Sequence, residues 1–338
     1  MKKKVAFITG ISGMVGSHLA EYLIKNTNFN IVGMIRKRSS LKNIANLTKN
    51  INEGNRVKLV YADLKDSISI NKAIKETKPN YVYHLAAQSD PKTSFHIPLE
   101  TNEVNVKGTI RLLEACKEFA SKALIHICSS SEVYGRVKKN FLPIKENCPF
   151  HPASPYAISK VGTDLVGRHY SEAYNMNIMI TRMFTHTGPR RSDFFAESSF
   201  AKQIAMIENN LIKPIVYHGN LKSLRTIADV RDAVRAYYLL LTKKPSKGEV
   251  YNIGGTYSCK VGDILNYLIS ISRKKVIKKK FDKNRARPLD ADLQIPSTKK
   301  FYNHTKWKPE YKFETTMNDL MNYWRKEIKK NPDEYINR

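Results

Sequence analysis

The sequence predicts an α/β fold: a doubly wound parallel sheet followed by a smaller mixed α/β C-terminal lobe. Three observations predict it. Short β-branched runs alternate with amphipathic stretches through the first half of the chain. Those runs are almost continuously apolar, as parallel strands covered on both faces are. A glycine triplet separates the first run from the first amphipathic stretch.

Residues 5–9 (VAFIT) read as the first strand. Residues 14–25 read as a helix with Val15, Leu19, Tyr22 and Leu23 on one face. Further apolar strands are expected at 30–35, 57–61, 81–86 and 123–128, with helical stretches around 68–75 and 99–119 between them. Beyond about residue 183 the pattern loosens and glycine, proline and lysine increase, so that 186–193 and 213–223 read as loops of a separate lobe. A length of 338 residues suits two domains, or one large α/β domain with an added lobe. The expected division is 1–183 for the first domain, with a return segment near 225–256, and 184–338 mainly for the second.

Composition narrows the class. Hydrophobic residues at 41% allow a large core and exclude general disorder. No run reaches the roughly 18 apolar residues of a membrane span. The start, MKKKVAFITG, imitates a signal peptide, but Thr9, Gly10, Ser12, Gly13 and Gly16 interrupt its apolar stretch. It reads as the first strand of a cytoplasmic protein. Cys116, Cys128, Cys148 and Cys259 show no C-x-x-C spacing, so neither a zinc knuckle nor a disulfide framework is indicated, and no metal site is expected. The formal charge of +28, from 58 basic and 30 acidic residues, is the anomaly. It is compatible with nucleic acid, an anionic membrane, an anionic small substrate or a lysine-rich surface.

Gly10, Gly13 and Gly16 form G-x-x-G-x-x-G directly after a predicted strand and opening a predicted helix. Glycines there permit a tight turn and let a pyrophosphate approach N–H groups at the positive helix end, the mark of a Rossmann-type dinucleotide site. At the end of the second strand, where a site for NAD carries a carboxylate, the chain has Arg36-Lys37-Arg38-Ser39-Ser40. Arg36 and Arg38 with Ser39 would bind a 2′-phosphate that a carboxylate would repel, which points to NADP; an exposed basic turn is the alternative. Asp63 and Leu64, after the third strand, are adenine-contact candidates.

Tyr156 and Lys160 form Y-x-x-x-K on a predicted helix, with Ser154 as N-cap and Pro155 as its first residue. A spacing of four puts both on one face, where the ammonium favours phenolate and lets Tyr156 take a proton from a sugar hydroxyl. The preceding strand ends in Ser129-Ser130-Ser131-Glu132. An epimerase or reductase needs only the hydroxyl, tyrosine and lysine. By the resemblance given next, a 4,6-dehydratase must also take a proton from C5 and give one to the leaving hydroxyl, and Glu132 would be the extra acid/base that this requires. An exposed turn carboxylate is the plainer reading of that residue.

Together these residues resemble the extended short-chain dehydrogenase/reductase superfamily, and within it the GDP-mannose 4,6-dehydratases with their GDP-manno-heptose relatives. The supporting stretches are RKRSS (36–40), HLAAQSDPKTSF (84–95), SSSEVYG (129–135), SPYAISK (154–160), HTGPRRSD (186–193), HGNLKSLR (218–225), RPLDAD (287–292) and Trp307-Lys308-Pro309. The resemblance implies a tightly held, recycled NADP and a GDP-sugar substrate. It implies catalytic roles for Ser130, Glu132, Tyr156 and Lys160. Cofactor contacts would extend to Met14, Val15, Leu85, Ala86, Ala87, Ser89 and His186. The sugar nucleotide would lie against Arg190, Arg225 and Arg287, with Asn220 and Ser89 as weaker candidates and Ser130, Ser131 and Glu132 at the sugar.

His84 and His186 read as structural rather than as general bases, and Cys128 as a packing residue. After HTGPRR the chain reads SDFFAESSFAKQI (192–204), nearer to heptose-type dehydratases and to GDP-4-keto-6-deoxymannose reductases than to mannose dehydratases. A reductase or an epimerase of the same superfamily is therefore the alternative enzyme, and mannose or manno-heptose remains open. The basic run 273–283 (RKKVIKKKFDK) has a single aromatic, Phe281, so a solvated loop or strand edge is expected there and RNA binding is the remote alternative. By the same resemblance a homodimer forms through helices 99–119 and 154–174, or a tetramer through the region after the Arg-rich turn. Neither a nucleic-acid nor a membrane partner is expected.

Overall fold

A computed structural model describes residues 3–47 and 56–336. The first half builds strands β1 (Val5–Thr9), β2 (Asn30–Ile35), β3 (Val57–Tyr61), β4 (Tyr81–His84), β5 (Leu124–Ser130) and β6 (Asn177–Met183). Between them lie helices α1 (Met14–Asn26), α2 (Ser67–Thr77), α3 (Gly108–Phe119) and α4 (Pro155–Ala173). The remainder contributes β7 (His186–Thr187), α5 (Ala196–Glu208), β8 (Ile215–His218), β9 (Leu224–Asp229), α6 (Val230–Thr242), β10 (Val250–Ile253), β11 (Tyr257–Lys260), α7 (Val261–Ser270), β12 (Lys278–Phe281), β13 (Leu293–Gln294) and α8 (Phe313–Lys330).

Seven strands form one sheet in the order β10-β6-β5-β4-β1-β2-β3, every neighbouring pair parallel. The winding reverses between β1 and β4, and ligands of such sheets bind outside the strand ends at that point. Strand alternation sends neighbouring side chains to opposite layers. Ile8 packs with Leu19, Leu23, Tyr237 and Leu240 of α1 and α6. Phe7 packs on the other face with Ile74, Leu112 and Leu113 of α2 and α3. A third core, built from Phe200, Ile204, Leu265, Met317, Leu320 and Trp324, joins α5, α7 and α8 beneath Ile227 of β9. Beta9 pairs with β11, β13 and β7 in a small separate sheet, and β8 pairs with β12.

The predicted α/β class and parallel sheet match the structure, with local differences. The strand expected over 81–86 stops at His84, because the N–H groups of Leu85 and Ala86 turn to donate to Thr9 Oγ1 at 3.0 Å each. The single helix expected over 99–119 is three pieces: Pro98–Asn102, a π turn Glu103–Lys107, and α3. The π turn places Asn105, whose amide bonds the backbone of Gln88 and the hydroxyl of Ser159. The stretches read as loops contain β7 and β8. Of the segment 225–256, α6 and β10 pack in and on the large sheet, whereas β9 stays in the small one. The basic run 273–283 carries β12, a strand exposed along its whole length. No helix among the described residues is long and apolar enough to cross a membrane.

Two buried histidines tie stability to pH. His84 lies between Thr9 Oγ1 and Thr109 Oγ1, each 3.0 Å from a ring nitrogen, and His126 Nε2 is 2.8 Å from Thr181 Oγ1. Burial pushes both down from 6.5 to about 3. Between those values the unfolded chain binds protons that the folded chain does not. Stability present above pH 6.5 is therefore lost as pH falls toward 3. At pH 5 the pair is expected to cost roughly 4 kcal/mol relative to pH 7. Urea midpoints at the two pH values measure this, and an unchanged midpoint would contradict it.

Candidate active site

The glycine turn shapes one end of the cavity. Gly10 has φ +71°, and a Cβ on it would stand 3.0 Å from Ala86 Cα. A Cβ on Gly16 would fall 2.3 Å from Gly10 O. Helix α1 therefore starts hard against β1, with no side chain capping it and no acidic residue in its first turn. Such an open, positive helix end suits a pyrophosphate. Arg36 and Ser39 line the same cavity at the end of β2, where Ser39 Oγ accepts from Arg36 N at 3.1 Å, and the Arg36 guanidinium reaches no protein acceptor among the described residues. Asn43 donates to Ser12 O at 3.0 Å and closes this end.

The cavity, about 760 Å³, runs from that turn to the small sheet. Along it lie the predicted cofactor residues Met14, Val15, Asp63, Leu64, Leu85, Ala86, Ala87, Ser89 and His186. Arg38 is exposed and stands outside the wall. His186 Nδ1 faces Phe184 O at 3.2 Å, and burial with the nearby Arg191 charge pushes its ring down to about 3, so it is neutral.

At the centre, β5 delivers Ser130, Ser131 and Glu132, and α4 delivers Tyr156 and Lys160. Helix α4 begins as the sequence predicts: Ser154 Oγ accepts from Ala157 N at 3.0 Å, and Pro155 follows the cap. Ser94 Oγ accepts the otherwise free Tyr156 N–H at 3.0 Å. Burial pushes the Tyr156 phenol well above its ordinary value, opposed by a hydrogen bond with Ser130 and by the charge of Arg191. Burial also lowers Lys160, whose Nζ donates to Cys128 O at 2.7 Å and lies 5.9 Å from the Tyr156 ring centre. The ammonium is thus beside the phenol's ring and held by the strand. Ser130 Oγ accepts from Glu132 N at 3.2 Å, which turns the carboxylate out of the strand toward the cavity.

The far end is a linked set of charges. Arg287 Nη1 lies 3.4 Å from Glu132 Oε1 and 3.3 Å from Asp290 Oδ1. Arg225 reaches Asp290 Oδ1 at 3.0 Å and also donates to Ala291 O. Against the effect of burial, Arg225 and Arg287 hold the Asp290 carboxyl below its usual range. Asn220 Nδ2 bonds Ser223 Oγ at 2.8 Å and reaches Asp290 Oδ2 at 3.4 Å. Arg190 turns the other way, onto α1, bonding Ser17 Oγ at 3.1 Å and Glu21 Oε1 at 2.6 Å. Its neighbour Arg191, paired with Glu197 at 3.3 Å, is the arginine of that motif near Tyr156.

Sequence reasoning passed over Arg191, Glu197, Arg285, Ser12 and Asn43, all of which line the cavity. The doubled arginine in GPRR was a usable signal for the first of them. Cys128 is half-buried, and Cys116, Cys148 and Cys259 are buried and free. Among the described residues no group of His, Cys, Asp and Glu could hold a metal ion.

This arrangement can remove a proton from a hydroxyl, hold a second acid/base two residues from a serine, and clamp a polyanion. Comparison with known proteins points the same way. A family model described as GDP-mannose 4,6 dehydratase matches residues 7–320. GDP-mannose 4,6 dehydratase of Drosophila melanogaster is 31% identical, over 98% of this chain and 88% of that protein. The enzyme of the same name from Vibrio cholerae serotype O1 is 36% identical, over 76% of this chain and 69% of its own. Among solved structures, RMD from Pseudomonas aeruginosa complexed with NADPH superposes with TM-score 0.81 at 27% identity, covering 96% of this chain and 100% of that one. UDP-glucuronic acid 4-epimerase from Bacillus cereus, in complex with UDP-glucuronic acid and NAD, gives 0.82 at 26% identity, covering 95% and 99%.

Proposed function

We infer that this chain, which belongs to the GDP-mannose 4,6 dehydratase family, is a GDP-sugar 4,6-dehydratase that works with a bound nicotinamide cofactor. The observation that carries the reading is the Glu132 carboxylate on the cavity wall it shares with Ser130, Tyr156 and Lys160. The glycine turn at Gly10–Gly16 and Arg36 with Ser39 would hold the nicotinamide cofactor, which would supply reversible hydride transfer, from C4 of the sugar and back to C6, with none consumed. The chain's own residues handle the protons. Tyr156 takes the O4 proton while Ser130 hydrogen-bonds the same oxygen, and Lys160 supports the phenolate through its charge. The C4 ketone makes the C5 proton acidic. Glu132 takes that proton and gives one to the departing C6 hydroxyl, which leaves as water. Return of the hydride to C6 is matched by protonation of C5, which balances the proton that Tyr156 took from O4, and the product is a 4-keto-6-deoxy sugar.

Arg225 and Arg287, braced by Asp290, suit the substrate diphosphate through paired, charge-assisted hydrogen bonds. Asn220, Ser89 and Ser131 would serve the same substrate. Arg190, bonded to α1, is assigned to the cofactor side of this cavity rather than to the clamp. The open start of α1 supports a dinucleotide, and Arg36 beside Ser39, its guanidinium without an acceptor among the described residues, supports NADP over NAD. Replacing Arg36 by Ala is expected to weaken NADPH binding by about 10- to 100-fold with little change for NADH. Fluorescence titrations with the two cofactors check this, and equal losses for both would contradict a 2′-phosphate contact.

Mixing the protein with GDP-mannose or GDP-manno-heptose and NADP⁺ should give, from one of them, a product lighter by one water without accumulation of NADPH. A protein inert in that assay that oxidises NADPH when given a GDP-4-keto-6-deoxy sugar would be the reductase that the 192–204 stretch resembles.

A further inference from the structure

The proton-handling groups of the proposed reaction stand on two separate elements. Tyr156 and Lys160 sit on α4, whereas Glu132 sits on a single 3₁₀ turn, Ser131–Tyr134, that follows β5. So short a turn has little hydrogen bonding of its own, and its direction is set by what grips its ends. At the near end Ser130 Oγ accepts from Glu132 N at 3.2 Å. At the far end the Tyr134 hydroxyl donates to Asn252 Oδ1 at 2.8 Å and accepts from Arg182 Nη1 at 3.0 Å. The same guanidinium makes a two-point pair with Asp164, Nε to Oδ2 at 2.7 Å and Nη2 to Oδ1 at 3.0 Å. Its Nη1 also donates to Glu146 O at 2.7 Å, and its carbon lies 4.6 Å from the centre of the Phe150 ring.

Asp164 belongs to α4, one turn beyond Lys160. The chain Asp164–Arg182–Tyr134 therefore bonds the helix that carries the base for O4 to the turn that carries the acid/base for C5 and C6. Tyr134, Asp164, Arg182 and Asn252 are all buried and lie outside the cavity wall, so none of them meets the substrate. A buried ion pair returns little net stability once desolvation of both charges is counted; what a well-fitted one fixes is geometry. Oxidation at C4 needs only the groups on α4, whereas loss of water needs both elements aimed at one sugar. We propose that Tyr134, locked by Arg182, Asp164 and Asn252, is the positioning residue that keeps Glu132 in register with Tyr156. The inference rests on the dehydratase reading above and names the residues on which its elimination half depends.

Y134F removes one hydroxyl and keeps the ring, while Arg182 keeps Asp164 and Glu146 O. The test is single-turnover mixing of the full-length protein, loaded with NADP⁺, with GDP-mannose or GDP-manno-heptose, whichever the wild type dehydrates. Absorbance of the reduced nicotinamide rises as C4 is oxidised and decays once water is lost and the hydride returns to C6. In Y134F the rise should stay within about twofold of the wild-type rate, while the decay and the release of water slow by about tenfold. Backbone hydrogen exchange should increase at 131–135 and stay unchanged at 155–160. A rise and a decay slowed equally would make Tyr134 a general packing residue. An unslowed decay, or unchanged exchange at 131–135, would show that Glu132 is placed without it; each of these results overturns the proposal. If Y134F loses its cooperative melting transition, N252A, which removes the acceptor and keeps Tyr134 and Arg182, decides by the same comparison. Wild-type protein that releases no water from either sugar nucleotide would sink the dehydratase reading and this role with it. Wild-type water loss beside a Y134F slowed equally in both halves would sink this role alone.

Discussion

Glu132→Gln is expected to lower formation of the 4-keto-6-deoxy sugar by about 10²–10⁴-fold, the range for loss of a positioned general acid/base. Two proton transfers in the proposed sequence use this one carboxylate, so the effect belongs near the top of that range. Glutamine keeps the shape and can still accept from Arg287, so folding and the binding of both nucleotides should persist. The distinguishing observation is hydrogen exchange. In deuterated water the wild type should place deuterium at C5 of the product, and E132Q should place none there in recovered substrate. Water loss at the wild-type rate in E132Q would contradict the assignment.

Tyr156→Phe should cost a comparable 10²–10⁴-fold, roughly, and should remove the pH dependence that the phenol imposes. Burial raises the Tyr156 pKa, so in the free protein the phenol stays protonated near neutrality and its share of the activity climbs as pH rises. Ser130 pulls that pKa down. Ser130→Ala should therefore move the rising limb to higher pH, whereas Y156F should abolish it. A pH profile of kcat/KM, which reports groups of the free protein, checks the order for the three proteins. An unshifted limb in S130A, or one surviving in Y156F, would remove Tyr156 as the base.

What could be read from the sequence was local. The strands announce themselves by β-branched runs. Gly16 of the glycine triplet is forced by the 2.3 Å that a Cβ there would leave to Gly10 O, and the α4 start by a cap three residues from its partner. What could not be read depends on contacts between distant residues or on backbone direction. Glu132 meets Arg287 across 155 positions, which no spacing rule reaches. Arg190 and Arg191 are adjacent, yet a left-handed φ of +70° at Arg190 sends one side chain to α1 and the other toward Tyr156. The π turn at Glu103–Lys107 keeps the helical hydrophobic pattern while breaking the helix, so periodicity alone passes over it. Lys160 is expected from its spacing to act on the phenol; its ammonium donates to the strand, at Cys128 O.

The surplus charge resolves along similar lines. Arg190, Arg225 and Arg287 each pair with a carboxylate of the protein, and Arg36 lines the cavity with no acceptor for its guanidinium among the described residues. Strand β12, with its three consecutive lysines all exposed, shows where much of the excess lies.

Dehydration by internal hydride return is tested most directly with GDP-mannose and GDP-manno-heptose, each carrying deuterium at C4, followed by mass and NMR analysis of the product. A dehydratase gives a product lighter by one water, with the deuterium now at C6 and the cofactor's redox state unchanged. Recovery of unaltered sugar mass, or appearance of the deuterium on released NADPH, would contradict it.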